Sequence, residues 1–261
     1  VRVLLTGASG FIGSAVARRL RDHPGVDLRT TRHAQPLPGA VPLDLTDPAS
    51  VARAVAGVDV VVHAAHAIGG DPVHLQRVNV TGTAVLLDAC AATTRVVAVS
   101  TASVYGPGPW RGQPLTERPA SPTSASRAAA DRLVLARGDV VVRPHLVHGP
   151  GDRWFLPRAV QITRALGRFV APQTRHSAIH VETLAAVLAD LALTARGSGI
   201  VLASEPATSL RPLVAAALTT PVDGEISHEE ALAHLAGRSD ARWAHDVGLL
   251  GLDHDLGVRS G

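Results

Sequence analysis

The run Thr6-Gly7-Ala8-Ser9-Gly10-Phe11-Ile12-Gly13 follows a β-branched stretch at the start of the chain and opens an Ala- and Arg-rich amphipathic segment. Glycines spaced three apart at a strand-to-helix junction leave the backbone few options. Gly7 permits a sharp exit from the strand, Gly10 lets backbone N–H groups approach an anion, and Gly13 allows the helix to close on the sheet. The N-terminus of that helix adds favourable partial charge for phosphate oxygens. This context points to a dinucleotide pyrophosphate, with Gly7, Ser9, Gly10, Phe11 and Ile12 as contacts.

Downstream, short β-branched runs alternate with Ala-rich segments, the pattern of a parallel sheet covered on both faces. Strands are expected at Val1–Thr6, Val26–Thr31, Val58–Ala64, Arg95–Ser100 and Val140–Arg143, and helices at Gly10–Arg21, Pro48–Ala56, Leu75–Ala92 and Ser124–Arg137. The economical fold class is α/β, a Rossmann-type doubly wound parallel sheet with a small interleaved C-terminal lobe. Residues 1–148 form the dinucleotide-binding domain, joined by parts of 179–204, and residues 149–261 form mainly a substrate-binding lobe. Within that lobe, helices are expected at Pro157–Leu166 and Val181–Leu193, Ile200-Val201-Leu202 as a strand returning to the main sheet, and helices and loops over Glu229–Gly261.

Composition narrows the partners. The chain has 261 residues, 46% of them hydrophobic, enough for a sizeable core. Its 25 basic residues are all Arg and are scattered, and the net charge of +3 leaves no electrostatic footprint for nucleic acid. Lone Cys90, in an apolar run, excludes a disulfide framework and reads as a packed thiol. The 13 histidines do not cluster with carboxylates at ligand spacings, so no metal is expected. No stretch has the length and apolarity of a membrane span or signal core, which sets the expectation of a cytoplasmic protein.

The glycine spacing resembles the short-chain dehydrogenase/reductase superfamily. Further segments are similar to its extended branch, the NAD-dependent epimerase/dehydratase-like proteins: Leu43-Asp44-Leu45-Thr46-Asp47, Val62-His63-Ala64-Ala65, Asn79-Val80-Thr81-Gly82-Thr83, Ser100-Thr101-Ala102-Ser103-Val104-Tyr105-Gly106, Arg143-Pro144 with Gly149-Pro150-Gly151, and His180-Val181-Glu182. The resemblance implies that Asp44 bonds the adenine amino group with Leu45 beside the ring. It implies that Ala64, Ala65 and His66 line the ribose and pyrophosphate side, and that Pro144, His145 and Leu146 border the nicotinamide. Asp44 is alternatively a turn residue of its own loop. About 20 residues past the glycines, where an acid would bond the ribose hydroxyls of NAD, the sequence reads Thr30-Thr31-Arg32-His33. A guanidinium there pairs with a 2′-phosphate, favouring NADPH over NADH, unless Arg32 is only solvated surface.

The family resemblance also implies a Ser or Thr that polarises a carbonyl and a Tyr four residues before a Lys as proton relay. Thr101, with Ser100 beside it, fits the first role. The second is missing: aligned on the basic residue, Thr123 stands at the Tyr position and Arg127 at the Lys position, the chain has no Lys, and its only Tyr is Tyr105. An unactivated hydroxyl and a permanently charged guanidinium do not restore acid catalysis. Arg127 either anchors the ribose or a phosphate by its charge or is a solvated helix residue near Asp131, and Asn79 either keeps the family's water network or is structural. Proton sources are then His66, His145 or His148, a water, or a phenol on the substrate beside the reducible ketone. The incomplete motif and the Lys-free, Met-free composition resemble the atypical ketoreductases of antibiotic pathways, which implies an aromatic, angucyclinone-like polyketide ketone as the small-molecule partner. Trp110, His148 and Trp154 are the expected substrate contacts. A catalytically silent NADP-binding sensor and a sugar-nucleotide epimerase or dehydratase are the competing readings.

Overall fold

The computed structural model describes residues 1–112, 114–194, 197–235 and 242–257, which divide into two compact units whose segments alternate along the chain. The first comprises Val1–Gly106, Glu117–Pro144 and Val181–Ala203. Its centre is a seven-stranded, all-parallel sheet in the order Gly199–Ala203, Val140–Pro144, Arg95–Val99, Val60–His63, Arg2–Thr6, Asp27–Arg32, Val41–Pro42. Successive valines at 60–62 are all buried because helices cover both faces of the sheet. On one face Leu4, Val61, Val96 and Val141 pack under Val51, Leu86 and Val134 from the helices Pro48–Val55, Gly82–Ala89 and Pro122–Ala136. The other face carries helices Phe11–Arg21 and Val181–Thr194, which pack together. Local chemistry sets the boundaries. Asp47 accepts from the Ala49 N–H ahead of Pro48, and Ser121 and Ser124 form a reciprocal capping box ahead of the long helix.

The chain runs outward from Arg2–Thr6 through two strands on one side, then returns to Val60–His63 on the other. The order therefore reverses between Arg2–Thr6 and Val60–His63, the position at which α/β sheets open a crevice beyond their C-terminal strand ends.

One expected element needs correction. The helix expected over Leu75–Ala92 is three pieces: Pro72–Leu75, a π-helical stretch Gln76–Thr81, and Gly82–Ala89, ending where Cys90 turns extended. The π turn accompanies the hydrogen bonds that Asn79 makes outside its helix, an interaction invisible to periodicity. The two-residue edge strand Val41–Pro42 is too short to carry an alternation signal. Ile200–Leu202 does lie in a strand of the main sheet. Cys90 is a free, buried thiol whose pKa burial pushes up.

The second unit comprises Pro107–Thr116, His145–His180 and Ser204–Gly261. Its core joins Leu146, Ile162, Phe169, Leu210, Val214 and Leu250 around helices Leu156–Leu166, Arg211–Ala217, His228–Leu235 and Arg242–Gly251. Three parallel strand pairs edge it: Leu146–His148 with Ala178–His180, Phe169–Val170 with Glu225–Ile226, and Trp110–Arg111 with His254–Asp255. His254–Asp255 falls in the tail expected to hold helices and loops, since a two-residue strand carries no alternation signal. Of the tail expected over Glu229–Gly261, residues 236–241 and 258–261 lie outside the described residues.

Candidate nucleotide site

Gly7 adopts φ +70°, and a Cβ there would sit 2.7 Å from the carbonyl carbon of Ala64. A Cβ on Gly13 would overlap the carbonyl oxygen of Gly7, which accepts the Gly10 N–H at 2.9 Å. The turn is thus closed against its neighbours at two glycines. The following helix, Phe11–Arg21, has no side-chain cap and no acid in its first turn, so its leading N–H groups are left for an anion. These features fit a dinucleotide pyrophosphate.

The adjoining loop is fixed by a fully used set of hydrogen bonds. The Thr6 hydroxyl accepts from the N–H groups of Ala64 and Ala65 and lies 2.8 Å from His63 Nδ1. The Thr83 hydroxyl donates to the Asn79 carbonyl, so it is an acceptor for His63 Nε2–H, which makes Nδ1 the acceptor for Thr6. Burial drives His63 down to about 3, with the Arg127 charge adding to it. A neutral imidazole thereby clamps the strand end. Asn79 holds the next residues: its Oδ1 accepts from Ala67 N–H, and its amide donates to the Ala67 carbonyl and to Ser126 Oγ. Thr123 Oγ1 accepts from Gly69 N–H at 3.1 Å, so the residue at the expected Tyr position serves the same loop.

Beside the turn lies a cavity of about 250 Å3, near the lower edge of the ~300–1,000 Å3 usual for small-molecule sites. Gly7, Ser9, Arg32, Asp44, Leu45, Ala65 and His66 all line it. Thr31, His33, Leu43, Thr46, Ala67, His74 and Val78 complete the wall. Gly10, Phe11, Ile12 and Ala64 belong to the turn and loop behind it. The Arg32 guanidinium has no hydrogen bond or ion pair among the described residues. Asp44 Oδ1 accepts from Thr46 N–H and Oγ1, contacts that hold its carboxyl below the usual range, so this side chain does act as a turn residue. Gly82 lets a helix approach this loop: a Cβ would lie 2.8 Å from Cβ of Leu45. His66 Nδ1 is buried without a partner among the described residues, and burial keeps the imidazole well below its ordinary pKa.

At the C-terminal end of Arg95–Val99 the structure departs from expectation. Ser100 is buried and donates to Asp131 Oδ2 at 2.7 Å, so its hydroxyl turns inward rather than toward a carbonyl. Thr101 accepts from Ser103 N–H and donates to Ser103 Oγ, capping the turn Ala102–Tyr105 while staying partly exposed. Arg127 is not a solvated helix residue. It is buried and donates to the Val99 carbonyl, and burial lowers its guanidinium to about 10 against the raising effect of Asp131. The alternation of the helix gave no sign of this, because Arg127 and Asp131 lie on its inner face among alanines.

The role of a second buried group was not legible in the Arg143-Pro144 segment. Arg143, 1% exposed, donates through Nε to Asp131, through one terminal nitrogen to the Tyr105 hydroxyl at 3.0 Å and through the other to Glu117. The chain's single phenol is therefore an acceptor within a structural ion network. Burial pushes the Asp131 carboxyl up, opposed by Ser100, Arg143 and Arg127.

Of the remaining expected contacts, Pro144 ends its sheet strand, buried. His145, His148, Trp110 and Trp154 belong to the second unit. Trp110, expected at a substrate wall, is a buried ring packed edge-on against His145 and His254. Burial holds His145 well below its ordinary pKa, and His148, beside His180, is lowered by the same cause. Trp154 is 65% exposed. Among the described residues, no group of three or more His, Cys, Asp or Glu is placed to hold a metal ion, and no helix is long and apolar enough to cross a membrane.

Residues 3–173 match the NAD dependent epimerase/dehydratase family. The 2-alkyl-3-oxoalkanoate reductase of Stenotrophomonas maltophilia is 35% identical over 185 residues, covering 63% of this chain and 56% of that protein. The 4-hydroxy-2-methyl-3-oxo-4-farnesyl-3,4-dihydroquinoline-1-oxide ketoreductase of Stigmatella aurantiaca is 32% identical over 189 residues, covering 63% and 55%. The chain thus spans about half the length of these relatives. Among solved structures, WbmH of Bordetella bronchiseptica in complex with NAD+ superposes with a TM-score of 0.73 at 20% identity, covering 98% of this chain and 88% of that one. That likeness concerns the fold.

Proposed function

The chain belongs to the NAD dependent epimerase/dehydratase family of the extended short-chain dehydrogenases/reductases, and from that premise we propose that it is an NADPH-dependent ketoreductase. The observation that carries the cofactor choice is the unengaged Arg32 guanidinium on the wall of the cavity beside the glycine turn. It offers a bidentate partner to a 2′-phosphate where a carboxylate would repel one. The first unit is the nucleotide-binding part and the second carries the substrate lobe.

Reduction is favoured over epimerisation or dehydration by what the chain's own residues do with protons. Sugar epimerases and dehydratases begin by removing a substrate proton, and the residues aligned with the relay are committed elsewhere: Thr123 to Gly69, Arg127 to Val99. A reduction asks less of the protein, since a bound reduced nicotinamide supplies the hydride and the pocket need only align and desolvate a carbonyl. Thr101, partly exposed at the turn, positions that carbonyl by turning its hydroxyl proton from Ser103 Oγ to the substrate oxygen. His66, His145 and His148 are all held below the ordinary histidine pKa, so near neutral pH none is a cationic acid. Water and the substrate remain as sources, and we favour the substrate: a phenol beside the ketone gives its proton to the developing alkoxide through an internal hydrogen bond, and the phenolate so formed regains a proton from water. An aromatic polyketide of angucyclinone type provides that arrangement. The two relatives described above, both reductases by name, support reduction over the silent-sensor reading.

The test mixes protein, NADPH and a panel of hydroxylated aromatic ketones and follows nicotinamide absorbance. Oxidation coupled to alcohol formation is expected, and methylating the phenol should abolish turnover while leaving binding. Absence of affinity for any pyridine nucleotide overturns the proposal. Tight binding of NADPH without turnover across the panel assigns the chain to the sensor class instead.

A further inference from the structure

Away from the nucleotide cavity, the second unit contains a pocket of about 150 Å3 lined by Leu146, Phe155, Ile162, Leu249 and Leu250, with Trp154 beside them. Its lining is almost wholly apolar. The volume is that of an engineered protein cavity known to admit one benzene ring. The polar groups on the wall are already paired, Arg158 Nε donating to Asp246 Oδ2 at 2.6 Å, so the pocket presents no unpaired charge to a ligand from this couple.

The backbone that carries the exposed ring is held in place. Asp152 accepts from the N–H groups of Trp154 and Phe155 through Oδ1 and of Leu156 through Oδ2, at 2.8, 3.0 and 2.8 Å. This side chain satisfies the first N–H of the helix Leu156–Leu166, whose N-cap Phe155 makes no side-chain bond, and fixes the backbone that carries both aromatic residues. An indole left 65% exposed forgoes the burial that usually stabilises tryptophan, yet here its backbone is anchored at the lip of an apolar hollow. A preformed apolar site with an aromatic edge on an anchored backbone suits a flat, uncharged ring.

We propose that this pocket binds one uncharged aromatic ring, with the Trp154 indole stacking on it. Identifying that ring as part of the ketone rests on the ketoreductase reading, whereas the site itself does not. The probe is p-cresol, titrated against the whole chain without nucleotide and followed by saturation-transfer NMR. Saturable binding is expected. Trp154→Ala, at an exposed position, should weaken it by about threefold to tenfold, the range of one aromatic stacking contact. Leu249→Trp should fill the pocket and remove binding, with circular dichroism confirming that both variants fold. No saturable binding to the wild type overturns the proposal, as does binding unchanged in both variants. Equal displacement by 4-methylcyclohexanol overturns its aromatic character. A protein that oxidises NADPH but ignores p-cresol refutes this site and leaves the reductase intact. One that binds p-cresol but never turns over NADPH does the reverse.

Discussion

Replacing Arg143 by methionine keeps most of the aliphatic stem and removes the charge that three buried or half-buried oxygens share. Arg143 and Asp131 side chains are 1% and 3% exposed, so solvent cannot take over the lost partner. Hydrogen bonds to charged groups contribute about 1.5–3 kcal/mol each, but the larger effect is the buried Asp131 carboxylate losing its ion-pair partner and keeping only the Ser100 hydroxyl and the more distant Arg127 charge. Removing one member of a buried ion pair costs about 3–5 kcal/mol. At roughly 2–4 °C per kcal/mol for a chain of this size, Arg143→Met should lower the unfolding midpoint by roughly 6–20 °C. Asp131→Asn in the same chain removes the stranded charge while still accepting from Ser100, and should recover about half of the loss. Thermal unfolding of the wild type, both single variants and the double variant by circular dichroism closes the cycle. A loss under roughly 3 °C for Arg143→Met, or a double variant whose loss equals the sum of the singles, refutes the coupling and with it the view that Arg143 serves mainly to hold Asp131.

Three further outcomes follow from the site. Gly13→Ala places a methyl group against the Gly7 carbonyl, so the glycine turn must open, and NADPH affinity by calorimetry should fall at least about tenfold; an unchanged affinity contradicts the cradle. Arg32→Ala should raise the KM for NADPH by about tenfold or more, the equivalent of one charged hydrogen bond, and leave that for NADH nearly unchanged; equal effects on both would assign Arg32 to the surface. Stability should fall on acidification. His63 in the first unit and the buried His176 in the second fold with pKa values lowered by burial to about 3 and about 4, against 6.5 unfolded, so the unfolded chain takes up protons first. Their contribution is present above about pH 6.5 and is lost as pH falls toward those folded values, each at about 1.4 kcal/mol per pH unit. Urea midpoints measured from pH 7 to pH 4.5 read this directly, and a flat profile refutes it.

Much of this protein was legible along the chain because its signals are local. The spacing of Gly7, Gly10 and Gly13 constrains a single turn, and that turn forms with the approach distances that require glycine. The alternation of valine runs with alanine-rich stretches sets the order of the sheet's strands and helices, since periodicity reflects which face of each element meets the core. The loss of the Tyr-Lys relay needed no structure, because a chain without lysine and with one tyrosine has nowhere to place the pair.

Partnership was decided in three dimensions. Arg32, Asp44 and His66 share one cavity because the strands before them lie on either side of Arg2–Thr6, an adjacency set by crossover connections rather than by nearby residues. Arg127 was read as an anchor for ribose or phosphate or as a solvated helix residue, and Arg143 only as part of a family-like segment, yet both are buried among Asp131, Glu117, Tyr105 and the Val99 carbonyl, partners that the fold delivers. Ser100 and Trp110 lost their expected roles in the same way, to an inward carboxylate and to two histidine rings. Sequence periodicity records whether a residue faces the interior. Which charge, hydroxyl or ring it meets there depends on how the chain is threaded, and that information exists only once the chain has folded.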